Sequence, residues 1–311
     1  MKQPSETAAA PDARPIRTEL PDATGIARRA AAYLAMIKVE HTLFAMPFAI
    51  LGGLLAERAA GRCAGAAAWF WIILCVAAAR TAAMSVNRIA DAALDARNPR
   101  TSGRAIPAGV ISKRSASAVA AVSGGVFVLS SAMLRPVCLW LSPALLAVVL
   151  GYSYAKRFTV LSHAWLGLAL GLAPAGAWLA VSGGFGWPPL LLGAAVTLWT
   201  AGFDIIYACQ DVDVDRREGL HSLPARLGVA RALAASAALH AAAIALLGLL
   251  PLVTPLGGVY LAGLAVAAGA IVYQHAIVRP GDLSRANTAF FTANGFVSVG
   301  LMAAGIIDLL T

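Results

Sequence analysis

Residues 66–95 read AAAWFWIILCVAAARTAAMSVNRIADAALD. The first part, about 66–87, is an apolar run of roughly 20 residues, the length an α-helix needs to cross the hydrocarbon core of a bilayer. The run ends in polar residues on a four-residue step: Asn87, Asp91 and Asp95. On a helix that step puts three side chains on one face, with neighbouring Cβ atoms about 5–6 Å apart. A membrane span therefore leads directly into a row of metal-ligand side chains.

Similar apolar segments recur along the chain, at about 39–56, 115–134, 137–155, 160–182, 188–209, 229–250, 256–278 and 288–310. The composition agrees, with 59% hydrophobic and 13% charged residues against about 25% charged in soluble domains. The alternating pattern of a membrane β-barrel is absent, and abundant Ala and Gly suit close helix packing in lipid. The expected fold is an all-α integral membrane protein, a nine-helix transmembrane bundle over residues 26–311. Pro143 and Pro174 fall inside two spans, where neighbouring helices can satisfy the freed carbonyls. Residues 1–25 are polar and contain Pro4, Pro11, Pro15 and Pro21. They lack the apolar core of a signal peptide and are expected to form a flexible cytoplasmic tail. Cys63, Cys75, Cys138 and Cys209 make no C-x-x-C pair, so neither a disulfide framework nor a zinc site is expected.

The basic residues set the orientation. Arg88, Arg97, Arg100, Arg104, Lys113, Arg114, Lys156, Arg157, Arg216, Arg217, Arg226, Arg231, Arg279 and Arg285 fall on one side of the expected bundle, and only Arg58, Arg62 and Arg135 on the other. The positive-inside rule makes the first side cytoplasmic, with the N-terminus inside, the C-terminus outside and a cell (inner) membrane as the site. The net charge of +9 is accounted for in part by topology and by contact with anionic membrane lipid. No nucleic-acid partner is expected.

Acidic residues cluster on the same side. Seven of the 15 lie in two short stretches: Asp91 and Asp95, then Asp204, Asp211, Asp213, Asp215 and Glu218. The second stretch, DIIYACQDVDVDRREGLHSLPARLG at 204–228, repeats the four-residue step at Tyr207, Asp211 and Asp215, whereas Asp213 lies off that face and reads as solvated. Two carboxylates about 6 Å apart repel by roughly 3 kcal/mol at an effective dielectric near 20. Two such pairs at a membrane edge call for a compensating charge, and Mg²⁺ supplies it while substrate phosphates complete its shell. Arg100, Arg104, Arg217 and Arg226 suit phosphate contact. A diphosphate at the surface with an apolar tail in the bundle describes a polyprenyl diphosphate. Loss of diphosphate leaves an allylic cation that the rings of Tyr152, Tyr154 and Tyr207 would shelter.

These residues resemble a known family. Asn87-Arg88-x-x-Asp91-x-x-x-Asp95 with Arg100-Thr101-x-x-Arg104-x-x-Pro107-x-Gly109 is similar to the first signature of UbiA prenyltransferases. Tyr207-Ala208-x-Gln210-Asp211-x-x-x-Asp215-x-x-x-Gly219-x-x-Ser222 is similar to the second, and Tyr152-x-Tyr154-x-Lys156-Arg157-x-Thr159 to the loop between helices four and five. The resemblance runs from about residue 35 to the C-terminus. It implies a nine-helix fold, Mg²⁺ held by Asp91, Asp95, Asp211 and Asp215 with Asn87, and a polyprenyl diphosphate donor. Arg88, Arg100, Arg104, Tyr154, Lys156, Arg157 and Tyr207 are then substrate-binding residues, Lys156 at the diphosphate. KVEHTLFAMPFA at 38–49 and DIIYACQD at 204–211 resemble the branch described as 4-hydroxybenzoate polyprenyltransferase-like, which implies an aromatic acid acceptor in ubiquinone or menaquinone synthesis, 4-hydroxybenzoate or a dihydroxynaphthoate acid. Ala105 stands where the family often has Pro.

Other residues are weighed singly. Arg80, deeper in the membrane, must pair with something, either the acceptor's carboxylate or a structural partner. Asp204 belongs with the pocket, and Glu40 and His41 open the first span near it. The histidines lack metal-ligand spacing; of them only His221 is kept as a candidate. Asn287 and Asn294 are read as polar packing. A secondary transporter is the rival of a different class, but it would place ionisable residues near mid-membrane, where only Arg80 stands. A CDP-alcohol phosphotransferase would require a D-x-x-D-G-x-x-A-R arrangement that is absent.

Overall fold

A computed structural model describes residues 25–38 and 42–311. The predicted tail up to residue 24, and Glu40 and His41, lie outside the described residues. The described chain is helical, and its one β-type contact is an isolated bridge between Arg279 and Asp282. In order, the helices are α1 (Gly25–Ile37), α2 (Thr42–Ala60), α3 (Ala66–Arg97), α4 (Lys113–Leu134), α5 (Pro136–Ala155), α6 (Ser162–Ser182) and α7 (Trp187–Ala208). A 3₁₀ turn at Cys209–Asp211 leads to α8 (Val212–Arg217), α9 (Leu223–Leu227), α10 (Val229–Leu249) and α11 (Gly258–Ile277). The last span joins α12 (Ala286–Thr288), a π turn at Ala289–Ala293 and α13 (Asn294–Leu310).

Among the described residues, eight helical segments are long and apolar enough to cross a membrane. They coincide with eight of the nine expected spans. The ninth expected span corresponds to α2, 19 residues long, which packs against α6 and α13 within the same bundle. The chain is a multi-pass membrane protein. Its outward faces carry large apolar side chains such as Trp140, Val266 and Phe296, as a bundle solvated by lipid requires.

Local chemistry sets the boundaries. Ser112 caps α4 by accepting from the Ser115 N–H at 3.1 Å. Pro136 and Pro188 stand in the first turns of α5 and α7, where a missing N–H costs nothing. Pro143 and Pro174 sit inside helices as expected. Helix α3, at 32 residues, is about 48 Å long. It therefore outruns the hydrocarbon core and carries Asp91 and Asp95 past the apolar stretch on an unbroken helix. Helices α6 and α7 approach closely through glycine. A Cβ at Gly167 would collide with the Thr197 carbonyl, and one at Gly171 with Thr197 Oγ1 and the Gly193 carbonyl. Such small-residue contacts let membrane helices touch backbone to backbone. Helix α1 falls between the expected tail and the first span, where no element was predicted; it packs Ala32 and Met36 against Ile111 and Ala116.

Candidate functional site

The two acidic stretches meet at one end of the bundle. Asp91 and Asp95, on the last turns of α3, are buried. Asp91 accepts from Lys156 Nζ at 2.7 Å and from Arg157 Nη2 at 3.1 Å, both just beyond α5. Asn87 Nδ2 is 3.5 Å from the same carboxylate. Asp95 Oδ1 accepts from Arg104 Nη1 at 2.7 Å. Its Oδ2 is buried and has no hydrogen-bond partner among the described residues, an arrangement that leaves a carboxylate oxygen short of a cation or donor.

The second stretch is held by the first. Arg100 reaches across from the α3–α4 loop and forms a two-pronged pair with Asp211, with Nε to Oδ1 at 2.9 Å. Asn98 Nδ2 donates to the same oxygen at 2.8 Å, and Arg100 Nη1 donates to the Tyr207 hydroxyl at 2.8 Å. The Arg100 guanidinium lies over the Tyr207 ring, 4.9 Å from its centroid. At the rim Arg97 Nε donates to Glu218 at 2.8 Å, which holds that carboxyl below its ordinary range. The His221 N–H donates to the Lys156 carbonyl at 2.7 Å, tying the loop after α8 to the end of α5. The motif glycines Gly109 and Gly219 have φ of +73° and +67°. Those left-handed turns favour glycine and fold both loops back over the site.

These groups open into a cavity of about 460 Å³. Its polar wall includes Asn87, Asp91, Asp95, Asp211 and Asp215. It continues along the helices to Leu134, Leu179 and Phe185 near their opposite ends, so an apolar slot runs most of the way through the bundle. The π turn in the last span brings Phe290 to the cavity wall, its ring 4.5 Å from that of Tyr207.

Residues 45–296 match the UbiA prenyltransferase family. This chain belongs to that family. It is a polyprenyltransferase, and the resemblance read from its motifs is borne out. A 4-hydroxybenzoate octaprenyltransferase of Azoarcus sp. (strain BH72) is 30% identical over 233 residues, 74% of this chain and 80% of that relative. A UbiA homolog of Aeropyrum pernix K1 superposes with a TM-score of 0.78 at 37% identity, over 88% of this chain and 99% of that one. A UbiA homolog of Archaeoglobus fulgidus, solved with DMAPP and Mg²⁺, shares the fold at a TM-score of 0.67 and 19% identity, over 90% and 99% of the two chains.

Most of the sequence candidates in this UbiA chain line the cavity: Asn87, Arg88, Asp91, Asp95, Arg100, Arg104, Lys156, Asp204, Tyr207, Asp211 and Asp215, together with Arg80. Arg80 Nη2 donates to the Lys38 carbonyl at 3.0 Å, and buried Arg88 donates from Nε to the Met36 carbonyl at 3.3 Å. Both therefore brace the end of α1 as well as facing the cavity. Arg157 and Tyr154 stand behind the wall. Arg157 bonds Asp91 and the Ala90 carbonyl, and the half-exposed Tyr154 ring receives the Arg157 guanidinium at 5.4 Å. The neighbouring Tyr152 is the one that lines the cavity. Asp213, Arg217 and Arg226 are exposed and outside it.

Two residues escaped the sequence reading. Asn98 follows α3 in a stretch read only for its arginines, and it bonds Asp211. His163 opens α6 and pairs its Nδ1 with Asp204 Oδ2 at 2.7 Å. A histidine tested only for metal spacing is overlooked when its partner is a carboxylate 41 residues away. A polar side chain at the start of an otherwise apolar span was the available signal.

Proposed function

We propose that this protein transfers a polyprenyl group from a polyprenyl diphosphate to an aromatic acid such as 4-hydroxybenzoate, with Mg²⁺, in quinone biosynthesis. The observation that carries this reading is the convergence of four aspartates from both halves of the chain on the polar end of a cavity that continues between the helices as a largely apolar slot. Asp91, Asp95, Asp211 and Asp215 would hold the metal, with Asn87 beside them. The buried, unpartnered Asp95 Oδ2 fits that role, as do hard oxygen donors in general. Among the described residues no three such groups already form a cage. Mg²⁺, when bound, neutralises charge on the departing diphosphate.

The chain's own residues supply the rest. Arg100, Arg104 and Lys156, which now hold the aspartates, are placed to take diphosphate oxygens once a metal occupies those carboxylates. The slot running toward Leu134 and Phe185 takes the prenyl tail and excludes water from the allylic carbon. Tyr152, Tyr207 and Phe290 face the same space with ring surfaces suited to a developing cation. Arg80, deeper than Asn87 on α3, offers a positive charge to the acceptor's carboxylate. The relatives support the reading: one carries the name 4-hydroxybenzoate octaprenyltransferase, and one of the same fold was solved with a prenyl diphosphate and Mg²⁺. The excess of basic residues in the loops at this end supports a mouth on the cytoplasmic side of the cell (inner) membrane.

The test uses membranes containing the protein, a labelled prenyl diphosphate, and 4-hydroxybenzoate and a dihydroxynaphthoate acid offered in parallel. The expected result is a prenylated aromatic acid from 4-hydroxybenzoate, abolished by EDTA and restored by added Mg²⁺. Product formed at full rate in EDTA would overturn the metal-assisted reading. Product from the dihydroxynaphthoate alone would move the protein to menaquinone synthesis.

A further inference from the structure

Asp204 and His163 form a pair outside the residues proposed above to hold the metal and diphosphate. The Leu223 N–H donates to His163 Nε2 at 3.2 Å. That nitrogen therefore carries no proton, and the imidazole proton sits on Nδ1, donated to Asp204 Oδ2 at 2.7 Å. His163 is buried, and the glycine contacts of α6 with α7 hold the two helices close enough for the pair to form. The other Asp204 oxygen takes no hydrogen bond among the described residues, and the side chain faces the cavity, about a quarter exposed. One turn deeper on the same face of α7 stands Thr200. Thr200 is fully buried, its Oγ1 has no hydrogen-bond partner among the described residues, and it lines the same cavity. Asp204 precedes Asp211 by seven residues, about 10 Å along a helix, so it lies inward of the carboxylates assigned to the metal. A carboxylate locked on one oxygen and open on the other, beside an unused hydroxyl, is equipped to receive a proton from a small polar ring.

We infer that Asp204, held in place by His163, takes the proton the aromatic acceptor loses on alkylation, which makes Asp204 a catalytic base and His163 a positioning residue. This rests on the prenyl-transfer reading above. The allylic C–O bond breaks and its electron pair leaves with the diphosphate. A ring carbon beside the phenolic hydroxyl supplies the pair for the new C–C bond. The C–H bond at that carbon then breaks, its pair restores the aromatic ring, and the proton passes to the open Asp204 oxygen and on to water at the mouth.

The experiment measures turnover of geranyl diphosphate with 4-hydroxybenzoate, either unlabelled or deuterated at both carbons beside the hydroxyl, alongside thermal stabilisation by geranyl diphosphate with Mg²⁺. In Asp204→Asn we expect kcat to fall about 100-fold or more, the scale of general-base catalysis. A deuterium effect on kcat, small in the wild type, should then appear because proton loss has become limiting. The geranyl diphosphate stabilisation should be unchanged. Asp204→Glu should recover part of kcat with a smaller isotope effect, and it stands in if Asp204→Asn does not fold. His163→Ala should lower kcat about 10-fold and show the isotope effect at unchanged geranyl diphosphate binding, an outcome that a purely structural histidine would not give. Wild-type kcat in Asp204→Asn, or a slow variant with no isotope effect, overturns the assignment. Loss of geranyl diphosphate stabilisation in that variant also overturns it and returns Asp204 to the diphosphate site. A wild-type protein with neither turnover nor stabilisation overturns the underlying prenyl-transfer reading instead.

Discussion

The two aspartate stretches share a four-residue step but are built differently. Asn87, Asp91 and Asp95 ride the end of a single unbroken helix, and both carboxylates are buried. In the second stretch a 3₁₀ turn at Cys209–Asp211 interrupts the helix between Tyr207 and Asp215. Asp215 is buried there, while Asp211 is partly exposed and is clamped by Arg100 and Asn98 from the loop after the first stretch. The first half thus provides a rigid platform and also the clamp that shapes the second. Two similar sequence patterns need not be two equivalent sites.

The largest expected difference follows from burial. Asp91→Ala strands Lys156 and Arg157 against a protein wall. We expect a loss of about 2–3 kcal/mol, below the figure for a fully buried pair because both basic side chains keep about a third of their surface exposed. Asp211→Ala should cost less, because Arg100 can turn to solvent. Chemical denaturation in detergent measures both, and equal losses would erase the distinction between platform and clamp. Asp91→Asn and Asp211→Asn should both abolish turnover in a folded protein, since each removes a charge from the proposed metal–diphosphate site. A double-mutant cycle on Arg100 and Asp211 should give a coupling of about 1–2 kcal/mol, and zero coupling would mean the clamp contributes nothing. Arg97→Ala, which breaks the exposed rim pair with Glu218, should leave the thermal midpoint close to wild type. Asp213→Ala should have the smallest effect of all, because its side chain points to solvent.

Much of this was legible in the sequence because membrane spans and carboxylate spacing are local. The span at 66–87, the prolines within helices, and Asp91 and Asp95 on one face all follow from short-range periodicity. The exposure of Asp213 and the burial of Asp215 follow the same rule despite the 3₁₀ turn. What the sequence withheld depends on distant partners. The Asn98–Asp211 and His163–Asp204 bonds join residues 113 and 41 positions apart. The choice of Tyr152 over Tyr154 for the cavity wall depends on how α5 is rotated against its neighbours, and the low-contrast apolar pattern of a lipid-embedded helix does not reveal that. Helix α1 was missed because its Ala-rich stretch is too short to span a bilayer and follows a polar, Pro-rich segment.

One measurement bears most directly on the claim that both stretches form a single site. Thermal unfolding in detergent is followed with a short, soluble prenyl diphosphate, with and without Mg²⁺. A ligand that binds only the folded state at about 100 times its Kd stabilises by roughly 2.7 kcal/mol, and here that gain should require Mg²⁺. Asp95→Ala and Asp215→Ala, one from each half, should each remove most of it, whereas Asp213→Ala should keep it. A response that survives in either Asp95→Ala or Asp215→Ala, or that needs no Mg²⁺, would contradict a shared metal–diphosphate site.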